Sequence, residues 1–106
     1  MRRKKIYLSG PMTGVKDLNV PAFNKAAKKL RAKGYLVVNP PELDRKERKD
    51  TWEDCLKRDL RYVVECDAIA TLPNWQKSRG ANLEIYVGKA VSMPVHTVAY
   101  YLKSGV

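Results

Sequence analysis

The sequence predicts an α/β fold in which helices cover both sides of a parallel sheet. Short apolar, β-branched runs alternate with amphipathic segments along the whole chain of 106 residues. The length suits one domain spanning residues 1–106, and the 44% hydrophobic content suits a compact core. We expect a three-layer sandwich with four to five parallel strands in the order 2-1-3-4(-5).

The first half of the chain supplies two strands and one helix. KIYLS at 5–9 predicts the first strand, which ends at the turn-rich GPMTG of residues 10–14. NVPAFNKAAKKLRAKG at 19–34 predicts a helix with Pro21 in its first turn and Gly34 at its end. YLVVNPP at 35–41 predicts a short second strand that is closed by prolines.

The second half of the chain repeats the alternation after a charged loop. ELDRKERKD at 42–50 has no apolar period, so this loop either acts as a lid or is disordered. Thr51 and Asp54 form a pattern typical of a capping box, which predicts a helix to about Glu65. We expect a third strand, a third helix and a fourth strand with a short terminal element in DAIATLP, ANLEIYVGKAVS and MPVHTVAYYL, respectively.

Two loops are expected to form the ligand site. Doubly wound sheets bind ligands beyond the carboxyl ends of their strands, where the strand order reverses. In the order 2-1-3-4 this point lies between the first and third strands. GPMTG at 10–14 and PNWQKSRG at 73–80 would then face each other across a crevice.

The chain is strongly basic, since 21 Lys and Arg oppose 11 Asp and Glu for a net charge of +10. Such a surface attracts phosphate, whether in nucleotides or in nucleic acid, but it also suits an ordinary solvated surface. The basic residues form no single stripe with interleaved aromatics, and no nucleic-acid motif is present. Nucleic acid is therefore the less favoured partner.

Cysteine and histidine usage argues against a metal site or a disulfide framework. Cys55 and Cys66 form no C-x-x-C pair, and His96 is the single histidine. We expect reduced, buried cysteines in a cytoplasmic protein with no metal or redox cofactor. The basic MRRKK start lacks the apolar run of a signal peptide, and no run reaches the length of a membrane span.

One acidic residue interrupts the apolar stripe of the second helix. Apolar side chains lie at offsets 0, 3, 4, 8 and 11 from Trp52, and the stripe position at offset 7 is Asp59. A carboxylate facing the core is costly unless it is paired, hydrogen-bonded or functional. Asp59 is therefore either a structural partner of a loop or an arginine, or an acid/base group that lines a cleft.

A second carboxylate follows the loop at 73–80. Ser78, Gly80 and Glu84 are spaced S-x-G-x-x-x-E, at what the pattern predicts to be the start of a helix. Acidic residues are common in the first turn of helices, where the macrodipole favours them. A serine hydroxyl beside a helix N-terminus also makes an anion site, with Glu84 within one turn of it. Trp75 in the same loop suits base stacking or ordinary packing.

These features together resemble a known family. Tyr7, SGPMTG, Asp59, Asp67 and SRGANLE occur in this order over residues 5–96. The set resembles the nucleoside 2-deoxyribosyltransferase-like family, closest to its small 2′-deoxynucleoside 5′-monophosphate N-glycosidases and to related short domains often found in phages. The resemblance implies a Rossmann-like or flavodoxin-like fold and a homodimer whose sites lie near the subunit contact.

The resemblance also implies roles for individual residues. Glu84 matches the family's nucleophile, Asp59 its acid/base residue, and Tyr7 the tyrosine that positions the nucleophile. The loop at residues 10–14 and Ser78 match the groups that hold the 5′-phosphate. The predicted substrate-binding residues are Ser9, Gly10, Pro11, Met12, Thr13, Gly14, Asn74, Trp75, Ser78 and Gly80.

The predicted reaction is hydrolysis of the base–sugar bond of a pyrimidine or modified deoxynucleoside 5′-monophosphate. The family's transferases carry an aspartate six residues before the nucleophile, where this chain has Ser78. We expect Glu84 to stay ionised with help from its helix terminus, and Asp59 to have a raised pKa and protonate the leaving base. The alternatives are a nucleoside 2-deoxyribosyltransferase and a protein that binds a nucleotide or nucleoside without catalysis.

Overall fold

The computed structural model describes residues 3–43 and 51–104, which form a four-stranded, all-parallel sheet with the strand order β2-β1-β3-β4. The strands are β1 (Lys5–Ser9), β2 (Leu36–Val38), β3 (Ala68–Thr71) and β4 (Val95–Thr97). β1 is central and pairs with β2 on one side and β3 on the other. The predicted α/β class and strand order are confirmed.

Four helices connect and cover the strands: α1 (Val20–Ala32), α2 (Trp52–Glu65), α3 (Arg79–Ala90) and α4 (Val98–Lys103). α2 begins with the predicted capping box, in which Thr51 and Asp54 each accept a hydrogen bond from the other's backbone N–H. α3 begins at Arg79, two residues earlier than ANLEIYVGKAVS predicts. α4 is the short terminal element that was expected after the fourth strand.

Residue alternation along β1 assigns its side chains to two different layers. Ile6 and Leu8 are fully buried in one apolar cluster with the inner side of α1 and with Tyr101 of α4. Tyr7 is fully buried in a second cluster, which includes Val63 of α2 and Ile85 of α3. Helices therefore cover both faces of the sheet, as a three-layer sandwich requires.

Short 3-10 turns that the sequence pattern did not predict shape the connections. They cover Lys16–Asn19, Pro40–Glu42 and Trp75–Lys77. The first contains three successive left-handed residues, Asp17 to Asn19, and the Asn19 side-chain amide donates to the Pro11 carbonyl at 2.9 Å. This bond ties the turn to the loop that leaves β1.

The predicted loop at 42–50 lies only partly within the described residues. Glu42 accepts a bidentate pair of bonds from Arg31, at 2.7 and 2.8 Å, and this ion pair fixes the segment that follows β2. Residues 44–50 lie outside the described ranges, so the proposed lid or disordered loop falls mostly there.

The cysteine expectation is half correct. Cys66 is buried, and burial raises the pKa of its thiol to about 11. Cys55 is only half-buried, which corrects the expectation of two buried thiols. In the described parts of the chain, no helix is both long and apolar enough to cross a membrane.

Candidate active site

The predicted crevice between β1 and β3 is an open cavity of about 630 Å³. Gly10, Met12 and Thr13 line it from the loop after β1, and residues 77–80 line it from the segment that enters α3. The N-terminal half of α2 forms another wall. The structure thus brings GPMTG and the end of PNWQKSRG to one cavity, at the carboxyl edge of the sheet.

Glu84 lies at the wall of this cavity and is almost completely buried, with 7% of its surface exposed. Both of its carboxylate oxygens accept hydrogen bonds from β1. The Tyr7 hydroxyl donates to Oε2 at 3.0 Å, and the Ser9 hydroxyl donates to Oε1 at 2.8 Å. Two rigid donors from the central strand therefore fix the orientation of the carboxylate.

The ionisation expected for Glu84 needs correction. Because α3 begins at Arg79, Glu84 lies in the second turn and not at the helix terminus, so the macrodipole helps it less than predicted. Burial raises its pKa to about 7; the nearby Asp59 charge adds to this, while the bonds from Ser9 and Tyr7 act in the opposite direction. Near pH 7 the group is about half protonated rather than fully ionised.

Asp59 is buried where the interrupted stripe of α2 predicted it, with 9% of its surface exposed. It lines the same cavity as Glu84, and its Oδ1 lies 3.3 Å from an Arg58 guanidinium nitrogen. Its negative charge raises the pKa values of both Glu84 and Tyr7. Asp59 and Glu84 therefore form an electrostatically coupled pair of carboxylates facing one space.

Tyr7 is fully buried beneath the cavity and is held as a hydrogen-bond donor. Burial, followed by the charge of Glu84, raises the pKa of its phenol well above the usual range. The hydroxyl therefore stays protonated at any pH at which the protein works. This makes Tyr7 a permanent donor to Glu84.

Ser9 is placed differently from the neighbouring loop residues. It is fully buried, and its hydroxyl is directed at Glu84 rather than outward. Sequence reasoning grouped it with the substrate-binding residues because it begins SGPMTG. The structure puts it in contact with the candidate nucleophile instead.

Close packing explains why a glycine follows Ser9. A Cβ atom on Gly10 would lie 2.8 Å from the Cβ of Leu72, at the end of the neighbouring strand. Gly14, with φ of +82°, adopts a backbone conformation that favours glycine. Gly10 thus lets the loop start close to β3, and Gly14 lets it turn away.

Not every predicted substrate-binding residue reaches the cavity wall. Within residues 3–43 and 51–104, and besides Ser9, four of the predicted residues do not line the cavity: Pro11, Gly14, Asn74 and Trp75. Trp75 packs against the apolar cluster under α2 and α3, which is the packing alternative to base stacking. Asn74 adopts a left-handed conformation before the 3-10 turn.

Ser78 and Gly80 lie at the start of α3 and line the cavity. Ser78 is the N-cap, and its Oγ accepts a hydrogen bond from the Ala81 N–H at 3.1 Å. The side chain still has a hydroxyl proton to donate. A Cβ placed on Gly80 would lie 4.0 Å from an atom of the Trp52 ring, which is ordinary van der Waals contact, so the described surroundings leave space at this position.

Sequence reasoning missed several residues of the cavity wall. Trp52 and Cys55 were assigned to the apolar stripe of α2, yet both line the cavity. Lys77 and Arg79 also line it and bring positive charge to the side where α3 begins. The guanidinium carbon of Arg79 lies 4.3 Å from the centre of the Trp52 ring. The S-x-G spacing marked this place, but not the residue between the serine and the glycine.

Over the described ranges there is no group of three or more His, Cys, Asp or Glu side chains that could hold a metal ion. The cavity instead combines two buried carboxylates with cationic and hydroxyl groups at its rim. Such a set can stabilise positive charge at one end of a ligand and bind an anion at the other.

Residues 4–97 match the family model described as "Domain of unknown function (DUF4406)". The chain belongs to this family. No curated protein matches the sequence. Among solved structures, the fold is similar to that of a 2-deoxyribosyltransferase from the psychrotolerant bacterium Bacillus psychrosaccharolyticus, with a TM-score of 0.66 and 26% sequence identity. That match covers 86% of this chain and 69% of the transferase.

Proposed function

We propose that this DUF4406 protein is a nucleotide N-glycosidase that hydrolyses the base–sugar bond of a deoxynucleoside 5′-monophosphate. One observation carries the proposal: Glu84 is fixed by Tyr7 and Ser9 at the wall of a cavity that also contains Asp59. Enzymes that cleave glycosidic bonds typically use two carboxyl groups that flank the scissile bond, and a buried, oriented carboxylate with a second one nearby matches this requirement. The similarity to a 2-deoxyribosyltransferase supports chemistry at the same bond.

In the first step, ionised Glu84 attacks C1′ of the sugar. A bond forms between a carboxylate oxygen and C1′ while the bond from C1′ to the base nitrogen breaks. The base leaves with the electron pair of that bond and takes a proton from Asp59. Positive charge develops on the sugar in the transition state, and the ionised Glu84 carboxylate stabilises it while Asp59 transfers its proton to the base.

In the second step, water attacks C1′ and the ester with Glu84 breaks. Asp59, now deprotonated, accepts the proton of the water, so that both carboxyl groups return to their starting states. The bonds from Tyr7 and Ser9 favour the ionised form of Glu84, which is both the attacking group and the leaving group. The products are the free base and the sugar 5-phosphate.

The cavity rim suits the 5′-phosphate. Gly10, Met12 and Thr13 of the loop after β1, together with Ser78 at the start of α3, lie on one cavity. Backbone N–H groups at a helix start bind anions well. Gly80 leaves room for a ligand to approach the backbone. A pyrimidine or a modified base is the proposed leaving group.

A deoxyribosyltransferase is the second candidate, and the structural similarity favours it. The two reactions share the first step and differ in whether water or a second base attacks C1′. The presence of Ser78 six residues before Glu84 supports the hydrolase, because a hydroxyl suits a phosphate better than a carboxylate does. Product analysis with an added acceptor base separates the two.

A homodimer is part of the proposal. Val64, Leu83 and Tyr86 are exposed apolar side chains on α2 and α3, and Tyr86 exposes 73% of its surface. Burying them against a second copy would help a domain of this size. Sedimentation of the wild type and of Tyr86→Glu would test the dimer, since a charge in the contact should dissociate it.

The test of function is incubation with a panel of nucleoside and deoxynucleoside 5′-monophosphates, with free base measured by chromatography. The proposal predicts base release from at least one monophosphate and slower release from the matching nucleoside. A ligand that raises the melting temperature without any base release, even after long incubation, would instead indicate a nucleotide-binding protein without catalysis.

A further inference from the structure

We propose that Arg79, held in place by the Trp52 indole, is the residue that selects 5′-monophosphates over nucleosides. The inference rests on the proposed function, because it assigns the substrate class of the same cavity. It concerns two residues to which the sequence motifs gave no role: Trp52, and Arg79 at the unspecified position of S-x-G. Both are the first residues of helices whose starts lie on the cavity, α2 for Trp52 and α3 for Arg79.

The contact between Arg79 and Trp52 holds a guanidinium at the wall of the cavity. Its carbon atom lies 4.3 Å from the centre of the Trp52 ring, which is a close cation–π contact. The N–H groups of a guanidinium project from its edge, in the guanidinium plane. A fork of N–H donors matches two oxygens of one phosphate. The contact with Trp52 therefore restricts the motion of this long side chain at the cavity wall.

The charges in the cavity explain why a cation is needed at this place. Asp59 and Glu84 give one part of the cavity negative charge, which attracts a sugar with developing positive charge but repels a phosphate dianion. Arg79 lies five residues before Glu84 on α3, roughly 7.5 Å away along the helix axis. A nucleotide likewise separates its reacting C1′ from its phosphate by the sugar and the 5′-carbon.

Lys77 provides a matched comparison, because it lines the same cavity and carries the same charge. A lysine ammonium is a single charged point on a flexible stem, whereas an arginine fork is planar and binds with two donors. Arg79 is also the residue that contacts the Trp52 ring. If general positive charge selected the phosphate, the two residues would be equivalent. If the planar guanidinium beside Trp52 selects the phosphate, substitution of Arg79 has the larger effect.

The kinetic experiment compares a monophosphate with its nucleoside in each variant. We expect Arg79→Gln to raise KM for the monophosphate about tenfold to a hundredfold, the range for a lost charged hydrogen-bond pair. The reaction with the nucleoside should change less than about twofold, and Lys77→Gln should have a small effect on both. Equal losses for nucleotide and nucleoside, or no change in KM, would overturn the assignment.

The role of Trp52 is tested through its dependence on Arg79. Trp52→Leu should raise KM for the monophosphate less than Arg79→Gln does, and it should add little in the double variant. Trp52→Phe keeps a ring under the guanidinium and should restore most of the affinity, which controls for a folding defect. Additive effects of Trp52→Leu and Arg79→Gln would show that the indole does not act through Arg79.

A binding measurement separates this inference from the proposed reaction. The chain has two tryptophans, so Trp75→Phe leaves Trp52 as the single indole reporter. We expect its fluorescence to respond to a deoxynucleoside monophosphate at concentrations where the nucleoside gives no change, and Arg79→Gln to abolish this difference. Absence of base release in the wild type would refute the reaction, whereas an equal response to nucleotide and nucleoside would refute the role of Arg79.

Discussion

The two faces of the sheet differ sharply in what they bury. Beneath α1 and α4, the cluster built on Ile6 and Leu8 contains apolar side chains and two tyrosines. Beneath α2 and α3, the same strand presents Tyr7 and Ser9, which hydrogen-bond to the buried Glu84. One strand thus serves both faces, and its period of two separates an apolar layer from a polar one.

The two faces of the sheet contribute to different properties: the apolar face mainly to the stability of the fold, and the polar face mainly to the proposed reaction. Apolar burial under α1 stabilises the fold at about 25 cal/mol per Å² of apolar surface. Burial of the ionised Glu84 destabilises the fold, because a carboxylate loses its hydration when it leaves water. The same burial raises the pKa of this carboxyl to about 7. The face under α2 and α3 therefore tolerates a destabilising group that the proposed reaction needs. Substitutions on the two faces should consequently affect different measured quantities.

The largest expected effect is the loss of activity in Glu84→Gln. The amide keeps the size of the side chain but cannot act as a nucleophile, so base release should fall by about a thousandfold or more. Initial rates from chromatography would measure this. Glu65→Gln, at the exposed end of α2, is the matched control and should retain wild-type rates. Unchanged turnover in Glu84→Gln would disprove the mechanism.

On the opposite face, Leu30→Ala should reduce stability and leave the chemistry alone. Leu30 is fully buried in the cluster under α1, and removing its side chain should cost about 2–5 kcal/mol of unfolding free energy. Urea unfolding measures this loss. The half-exposed Leu36→Ala is the control and should cost less than about 1 kcal/mol. A drop in kcat for the folded Leu30 variant would show that the two faces are coupled.

The buried carboxyl also predicts an unusual dependence of stability on pH. The folded pKa of Glu84, about 7, is raised above its ordinary value of 4.5, so the folded state binds the extra proton between these values. The wild type should therefore lose stability as pH rises from about 4.5 to 7. Glu84→Gln lacks this loss and should become more stable than the wild type by up to about 3 kcal/mol at pH 8.

Unfolding free energies of the two proteins at pH 4 and pH 8 would check this expectation. A constant difference between the proteins at the two pH values would mean that Glu84 has an ordinary pKa when folded. Glu65→Gln, at the exposed end of α2, again serves as the control.

The smallest expected effect belongs to Ser9→Ala. Its hydroxyl bond lowers the pKa of Glu84, so removal should raise that pKa by about one unit, the equivalent of a charged hydrogen bond worth roughly 1.4 kcal/mol. The ascending limb of kcat/KM against pH should move from about 7 in the wild type toward about 8.

Ser104→Ala is the control, because the Ser104 hydroxyl donates to the Tyr100 carbonyl and not to Glu84. This variant should leave the dependence of kcat/KM on pH unchanged. A merely structural role for Ser9 would lower the melting temperature without moving the pH profile. An unshifted limb in Ser9→Ala would therefore remove Ser9 from the positioning of Glu84.

The fold and part of the site could be predicted because their signals are local. Alternating apolar runs and caps predicted the strands and the helices, and the interrupted stripe of α2 located Asp59. The strand order was expected of a doubly wound sheet as a class, and the structure confirms it. A carboxylate on an apolar stripe is visible in sequence because the helical period fixes which positions face the core. The position of Tyr7 in the middle of β1 predicted burial in the core, whereas its place beside the nucleophile was implied by the family resemblance alone.

The remaining features depend on contacts between distant parts of the chain. Ser9 and Glu84 are 75 residues apart, so no spacing rule could direct the serine to the carboxylate. The Arg79–Trp52 contact joins the starts of two helices and is equally invisible in sequence. The pKa of Glu84 depended on where α3 begins and how deeply the residue is buried. The expectation of a fully ionised group failed on both points.

The most direct test of the central claim is to trap the glycosyl-enzyme ester. A 2′-fluoro-arabino nucleoside 5′-monophosphate should glycosylate the nucleophile, and the resulting ester should hydrolyse slowly, since the fluorine disfavours positive charge on the sugar. Mass spectrometry of digested protein should find one fluorinated sugar phosphate on the peptide that contains Glu84, and none in Glu84→Gln. Base release without an adduct on this peptide, or an adduct on Asp59, would contradict the assignment of Glu84 as the nucleophile.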